Sequence, residues 1–135
     1  MLIIKEVEYA VMILDELYHE SPLSAAALST RRNIPSPFIY RALKKLEARD
    51  ILEIRRGPKG GYSLKADCEK LTLYDVICAF ENTFIVTECL KSDYECVHNN
   101  DFNCRMHRQF AWIQHLLKEE FQKANLSSLL EEDLE

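Results

Sequence analysis

Glycine is scarce in this sequence, with three residues in 135, and proline is hardly commoner at four. So few chain breakers leave no room for long disordered or low-complexity stretches, and no internal repeat is present. No phosphate-cradling loop, glycine-rich dinucleotide turn or nucleophile elbow occurs, so the usual short-motif signs of an enzyme are missing. Cys104 and His107 are the only nucleophile-and-base pair on offer, and nothing around them supports catalysis; the expectation is a protein that is not an enzyme. Long apolar runs are absent too. None approaches the roughly 20 residues of a membrane span, and Met1-Leu2-Ile3-Ile4-Lys5-Glu6 is too short and wrongly flanked for a signal peptide. A cytoplasmic protein with no membrane partner is expected. What remains is a chain with 47% hydrophobic residues, long enough to bury a core without staples.

Positive charge is in the minority, with 17 Lys and Arg against 22 Asp and Glu and a net charge of −5. That balance argues against nucleic acid, but its distribution argues the other way. Residues 31–65 hold ten Lys and Arg against three acids, a surplus of +7, so the rest of the chain carries −12. A basic block inside an acidic chain is the electrostatic footprint of a nucleic-acid face.

The pattern along the chain places elements around that block. Ile3, Val7, Ala10, Val11, Leu14 and Leu17 recur at helical spacing over 3–19. Ser24 can cap a second helix near 25–32. Pro35 forces a turn, and Ser36-Pro37 reads as an N-cap followed by proline at the first helical position. The helix opened there runs to about Arg49, with Phe38, Ala42, Leu43 and Leu46 as its apolar stripe. Ile51 to Arg56, a Gly57-Pro58-Lys59-Gly60-Gly61 turn and Tyr62-Ser63-Leu64 make a β-hairpin. Thr72 and Asp75 form a capping box for a helix over 73–81. Residues 82–103 show little periodicity. Helical spacing returns from about Cys104 to Ala124, and residues 125–135 add at most one acidic turn. The fold class expected is mainly α with a small β-hairpin wing: a winged helix-turn-helix over 1–81, a cysteine-containing connector over 82–104, and a long dimerisation helix with acidic tail over 105–135.

In a winged helix-turn-helix the second helix of the pair enters the major groove. Ser36, Pro37, Tyr40 and Arg41 lie in the first turns of that helix and are the candidate base readers, with Arg41 able to contact guanine in bidentate fashion. Lys44 and Lys45 are candidate phosphate contacts. On the hairpin, Arg55, Arg56 and Lys59, with Gly60 allowing close backbone approach, suit a minor-groove contact. Helix 105–124 carries Phe110, Ile113, Leu117 and Phe121 on one face and Trp112 and Leu116 on another. That is more apolar surface than one small domain covers, so a homodimer is expected, whose two-fold symmetry would let two recognition helices reach half-sites about one DNA turn apart. A winged helix used only for protein contact is the alternative, and it predicts no DNA binding.

Val7-Glu8-Tyr9-Ala10-Val11, the Ile34 to Leu46 helix and above all Arg56-Gly57-Pro58-Lys59-Gly60-Gly61-Tyr62-Ser63-Leu64 resemble the IscR/NsrR/CymR (Rrf-type) family of bacterial winged-helix transcriptional regulators, over roughly residues 1–130. The resemblance implies a homodimer, a palindromic duplex site, a long C-terminal helix crossing its partner, and repression of genes for iron–sulfur assembly, nitric-oxide response or cysteine metabolism.

Five cysteines in a cytoplasmic chain do not suggest a disulfide framework, and the odd number leaves one unpaired. Cys89, Cys96 and Cys104 are spaced C-x6-C-x7-C, with His107 three residues on. Three thiolates and an imidazole on an irregular loop can hold an iron–sulfur cluster. Spacing alone is weak evidence, and it leaves bystander thiols, a redox disulfide or a Cys3His zinc site as alternatives. The resemblance implies a cluster on the three cysteines. With His107 as fourth ligand it points to 2Fe–2S; with Glu8 in that role, as in the nitric-oxide-sensing branch, 4Fe–4S is possible. A cluster that fits one arrangement of the two DNA-reading heads would shift the dimer toward it. The competing expectation is a metal-free regulator controlled by thiol oxidation or a partner protein. Cys78 reads as a buried core thiol, Cys68 as a loop thiol and His98 as a lesser ligand candidate, while His19 and His115 are assigned nothing.

Overall fold

This computed structural model describes residues 3–81, 84–98 and 104–131, which hold six α-helices and one hairpin. In order they are α1 (Lys5–His19), α2 (Ala25–Arg32), α3 (Ser36–Ala48), β1 (Leu52–Arg55), β2 (Gly61–Leu64), α4 (Leu73–Phe80), α5 (Arg105–Lys123) and α6 (Leu126–Glu131), with a single 3-10 turn at Glu88–Leu90. Among the described residues no helix is long and apolar enough to cross a membrane.

The local signals act as their chemistry requires. Ser24 Oγ accepts from the Ala27 N–H at 3.1 Å and starts α2, which ends on Asn33 in the left-handed conformation. Thr72 and Asp75 close the capping box of α4 in both directions, at 3.2 and 3.0 Å. The start of α3 departs from expectation. Its cap is Pro35, whose carbonyl accepts from Phe38 and Ile39 N–H at 3.0 and 3.2 Å, and no side chain caps it. Ser36 is therefore the first helical residue and Pro37 the second, where a missing N–H leaves no bond unmade. The buried stripe is correspondingly Ile39, Ala42, Leu43 and Leu46; Phe38 lies at the surface, 39% exposed, against Tyr9 of α1.

The core is continuous from α1 through α2, α3 and β1 to α4, and α6 also inserts into it. Ile13, Leu14, Leu28, Ile39, Leu43, Ile77 and Leu126 are essentially sealed from solvent. The two remaining cysteines exchange their expected roles. Cys68 is the buried one and Cys78 is half-buried, because the Cys68 carbonyl accepts from Ser127 N–H and α6 folds over that loop. Burial pushes the Cys68 thiol above its ordinary pKa.

The hairpin pairs Leu52 with Leu64 and Arg55 with Gly61, antiparallel. It is also fastened to the α1–α2 link, because Leu23 and Tyr62 exchange backbone hydrogen bonds at 3.1 and 2.8 Å. Two glycines make this possible. A Cβ on Gly60 would fall 1.9 Å from the Arg55 carbonyl oxygen, and one on Gly61, at φ +138°, would fall 2.7 Å from the Leu23 carbonyl oxygen. In both cases the obstacle is backbone, which cannot swing aside. Gly61→Ala is expected to destabilise the fold by on the order of 2 kcal/mol through strain and a displaced strand. Urea unfolding would read this as a lowered midpoint, and an unchanged midpoint would refute the close approach.

Candidate nucleic-acid interface

The exposed surface of α3 and the neighbouring wing hold most of the residues expected to meet DNA. Ser36, Pro37, Tyr40, Arg41 and Lys44 are exposed, with Tyr40 58% accessible. Strand β1 packs against α3, which sets the wing beside the helix.

The charges are less uniform than the sequence implies. Several cations of the basic block are spent inside the chain. Arg31 pairs with Glu20 at 2.6 Å, and Arg32 pairs with Asp15 and with Glu16, the latter at 2.8 Å. Lys65 pairs with Asp50, and Arg49 donates to the Cys78 carbonyl at 3.0 Å, tying the end of α3 to α4. Arg41 and Lys45 both pair with Glu6 of α1 at 3.1 Å. Among the described residues no carboxylate pairs with Lys44, Arg55, Arg56 or Lys59, so the unspent positive charge sits on the outer side of α3 and on the wing. Gly60 has a reason of its own in the hairpin, independent of any ligand.

The cysteine segment is placed but not gathered. Cys89 is half-buried in the 3-10 turn, Cys96 is exposed in irregular chain, and Cys104 is half-buried at the N-cap of α5, where its sulfur accepts from the His107 backbone N–H at 3.5 Å. His107 is half-buried and His98 exposed. Glu8 pairs with Lys5 at 2.8 Å and lines an apolar cleft of about 330 Å³ with Val11, Leu73 and Phe121. Among the described residues no three His, Cys, Asp or Glu side chains form a group able to hold a metal. The thiol and imidazole donors suit an iron–sulfur cluster chemically, but their positions do not assemble a site for one. The connector is fastened to α5 by Val86 N–H donating to Gln114 Oε1 at 2.8 Å, a contact with no signal in the sequence.

On α5, Leu117 and Phe121 pack on the chain's own core, Phe121 edge-on to Phe84. Phe110 and Ile113 are half-buried, while Met106, Trp112 and Leu116 face outward, with exposures of 61, 56 and 42%.

Similarity to known proteins bears on this surface. The Rrf2 family model, described as an iron-dependent transcriptional regulator, matches residues 3–132. A protein of Aquifex aeolicus bearing the name of an HTH-type transcriptional regulator is 26% identical over 97 residues, covering 72% of this chain and 67% of its own length. The regulator IscR of Vibrio campbellii is 32% identical over 84 residues; the match covers 60% of this chain and half the length of that relative. The structure of CymR, the global cysteine regulator of B. subtilis, superposes with a TM-score of 0.73 at 22% identity over 95% of each chain, a likeness of fold.

Proposed function

The chain belongs to the Rrf2 family of transcriptional regulators, and on that footing we propose that it acts as a homodimeric repressor whose two α3 helices and two wings engage a palindromic duplex. It is a DNA-binding regulator, not an enzyme. The observation that carries the reading is the set of wing cations, Arg55, Arg56 and Lys59, exposed and unpaired among the described residues beside the exposed turns of α3. Lys44 and the wing contact phosphate, while Tyr40 and Arg41 face base edges. The outward apolar residues Met106, Trp112 and Leu116 support a second copy packing on α5. Binding of duplex DNA across a salt series tests the reading. Affinity is expected to fall steeply, with a log–log slope of about −0.9 per phosphate contacted; a protein that binds no duplex at any salt would sink it.

The sensing element we propose is the segment carrying Cys89, Cys96 and Cys104. Their donor types, with His107, support an iron–sulfur cluster, 2Fe–2S with His107 or 4Fe–4S with Glu8. Exposure of Cys96 and the use of the Cys104 sulfur as a helix cap favour a second reading, reversible thiol oxidation. An anaerobic visible spectrum with iron and sulfide assay separates them. A coloured protein bleached by Cys96→Ala supports the cluster. A colourless protein whose DNA affinity changes on oxidation and recovers with a thiol reductant supports the thiols. A colourless protein indifferent to oxidants defeats both.

A further inference from the structure

Two cations of α3, Arg41 and Lys45, are tied to one carboxylate of α1, although the Arg41 side chain stays 53% exposed. The Glu6 carboxylate accepts from Arg41 Nη1 through one oxygen and from Lys45 Nζ through the other, each at 3.1 Å. Each cation is also backed by a ring. The Arg41 guanidinium lies 5.6 Å from the Phe38 centroid, and the Lys45 ammonium lies 5.2 Å from that of Phe80. Phe38 in turn meets Tyr9 at 5.8 Å, one helical turn along α1 from Glu6. The Glu6 side chain is only 23% exposed. The two donors hold its carboxyl below the ordinary range, Lys45 first and then Arg41, so it is a fixed anion at neutral pH. This assembly differs from a surface ion pair between two free side chains, which contributes little.

We propose that Glu6 stands in for a DNA phosphate, withholding Arg41 and Lys45 from the backbone of an arbitrary duplex and so setting the specificity of the DNA-binding surface. The inference rests on the DNA contact proposed above for α3. Non-specific affinity comes almost entirely from phosphate neutralisation. A random duplex has only phosphates with which to compete for these cations, and Glu6 already fills that role at close range. A site presenting guanine to Arg41 adds base-edge hydrogen bonds that offset the exchange. Discrimination is a difference of two affinities, and Glu6 lowers the one that carries no sequence information.

The test uses the full chain, a random-sequence 24-base-pair duplex as probe, and a salt series. Glu6→Gln is expected to steepen the slope by about 1–2 and raise affinity for this probe roughly 10- to 60-fold near 0.1 M salt. Glu119→Gln, the same charge change on α5 beside His115, controls for net charge and should shift affinity less than twofold. In an Arg41→Gln/Lys45→Gln background the effect of Glu6→Gln should vanish. A second measurement leaves Glu6 intact: Lys45→Gln should not change the slope, whereas Lys44→Gln should flatten it by about 0.9. If the wild type binds no duplex, the DNA reading falls and this inference with it. If the wild type binds with a steep slope but Glu6→Gln matches it, or Lys45→Gln flattens the slope as Lys44→Gln does, only the role of Glu6 is overturned.

Discussion

Replacing Leu126 with alanine is expected to destabilise the protein by about 2–5 kcal/mol, the range for truncating a sealed leucine whose surroundings cannot collapse. Leu126 is fully buried although it lies in the last helix. The backbone explains why it is held so firmly. Leu126 N–H donates to the Leu71 carbonyl at 2.8 Å, Leu73 N–H to the Ala124 carbonyl at 2.8 Å, and Ser127 N–H to the Cys68 carbonyl at 2.9 Å. The turn between α5 and α6 is thus laced to the turn before α4, and Leu126 goes into the core between them. Leu129→Ala, in the same helix but 42% exposed, should cost only a few tenths of a kcal/mol. Urea unfolding reads both, at one protein concentration because any self-association makes stability depend on concentration. Equal midpoints for the two variants would mean that α6 is not part of the core.

Neutralising the wing should have the largest effect on binding. Each phosphate contact contributes a salt slope of about −0.9, so the triple variant Arg55→Ala/Arg56→Ala/Lys59→Ala is expected to flatten the slope by up to about 2.7 and weaken binding near 0.1 M salt by roughly 10²- to 10³-fold. All three side chains are exposed and none is in an ion pair among the described residues, so the unfolding midpoint should scarcely move. That contrast is the informative part: lost affinity with unchanged stability belongs to a contact surface, whereas loss of both would mean that the wing is structural. Arg56→Ala alone should lower specific affinity more than random-duplex affinity if it enters the minor groove. Equal losses would reduce it to a phosphate contact.

Much of this was legible from short stretches of sequence. Ser24 as a cap, the Thr72–Asp75 capping box and the glycine-rich hairpin are decided by residues within a few positions of one another. The Arg56 to Leu64 pattern also carried the family likeness. Legibility failed where two distant segments meet. Phe38 reads as core by spacing, yet Ile39, which shares the helical face of Ala42, Leu43 and Leu46, takes that place, and Phe38 meets Tyr9 of α1 at the surface. Cys68 and Cys78 exchanged roles because α6 covers one and not the other. The connector cysteines look like one constellation in sequence, but the described structure leaves Cys96 in solvent and gives the Cys104 sulfur to a helix end. Glu6 carries no local sign of importance; its two partners lie 35 and 39 residues away.

From the sequence alone came the helices, the wing, the basic block and the membership those features advertise, because capping, periodicity and turn chemistry act over a few bonds. The tertiary structure alone decided which positive charges are spent and which are left to meet a ligand, and that the chain's last helix is core rather than tail. Ion pairing and burial depend on distance in space, and spacing along the chain does not encode the partner.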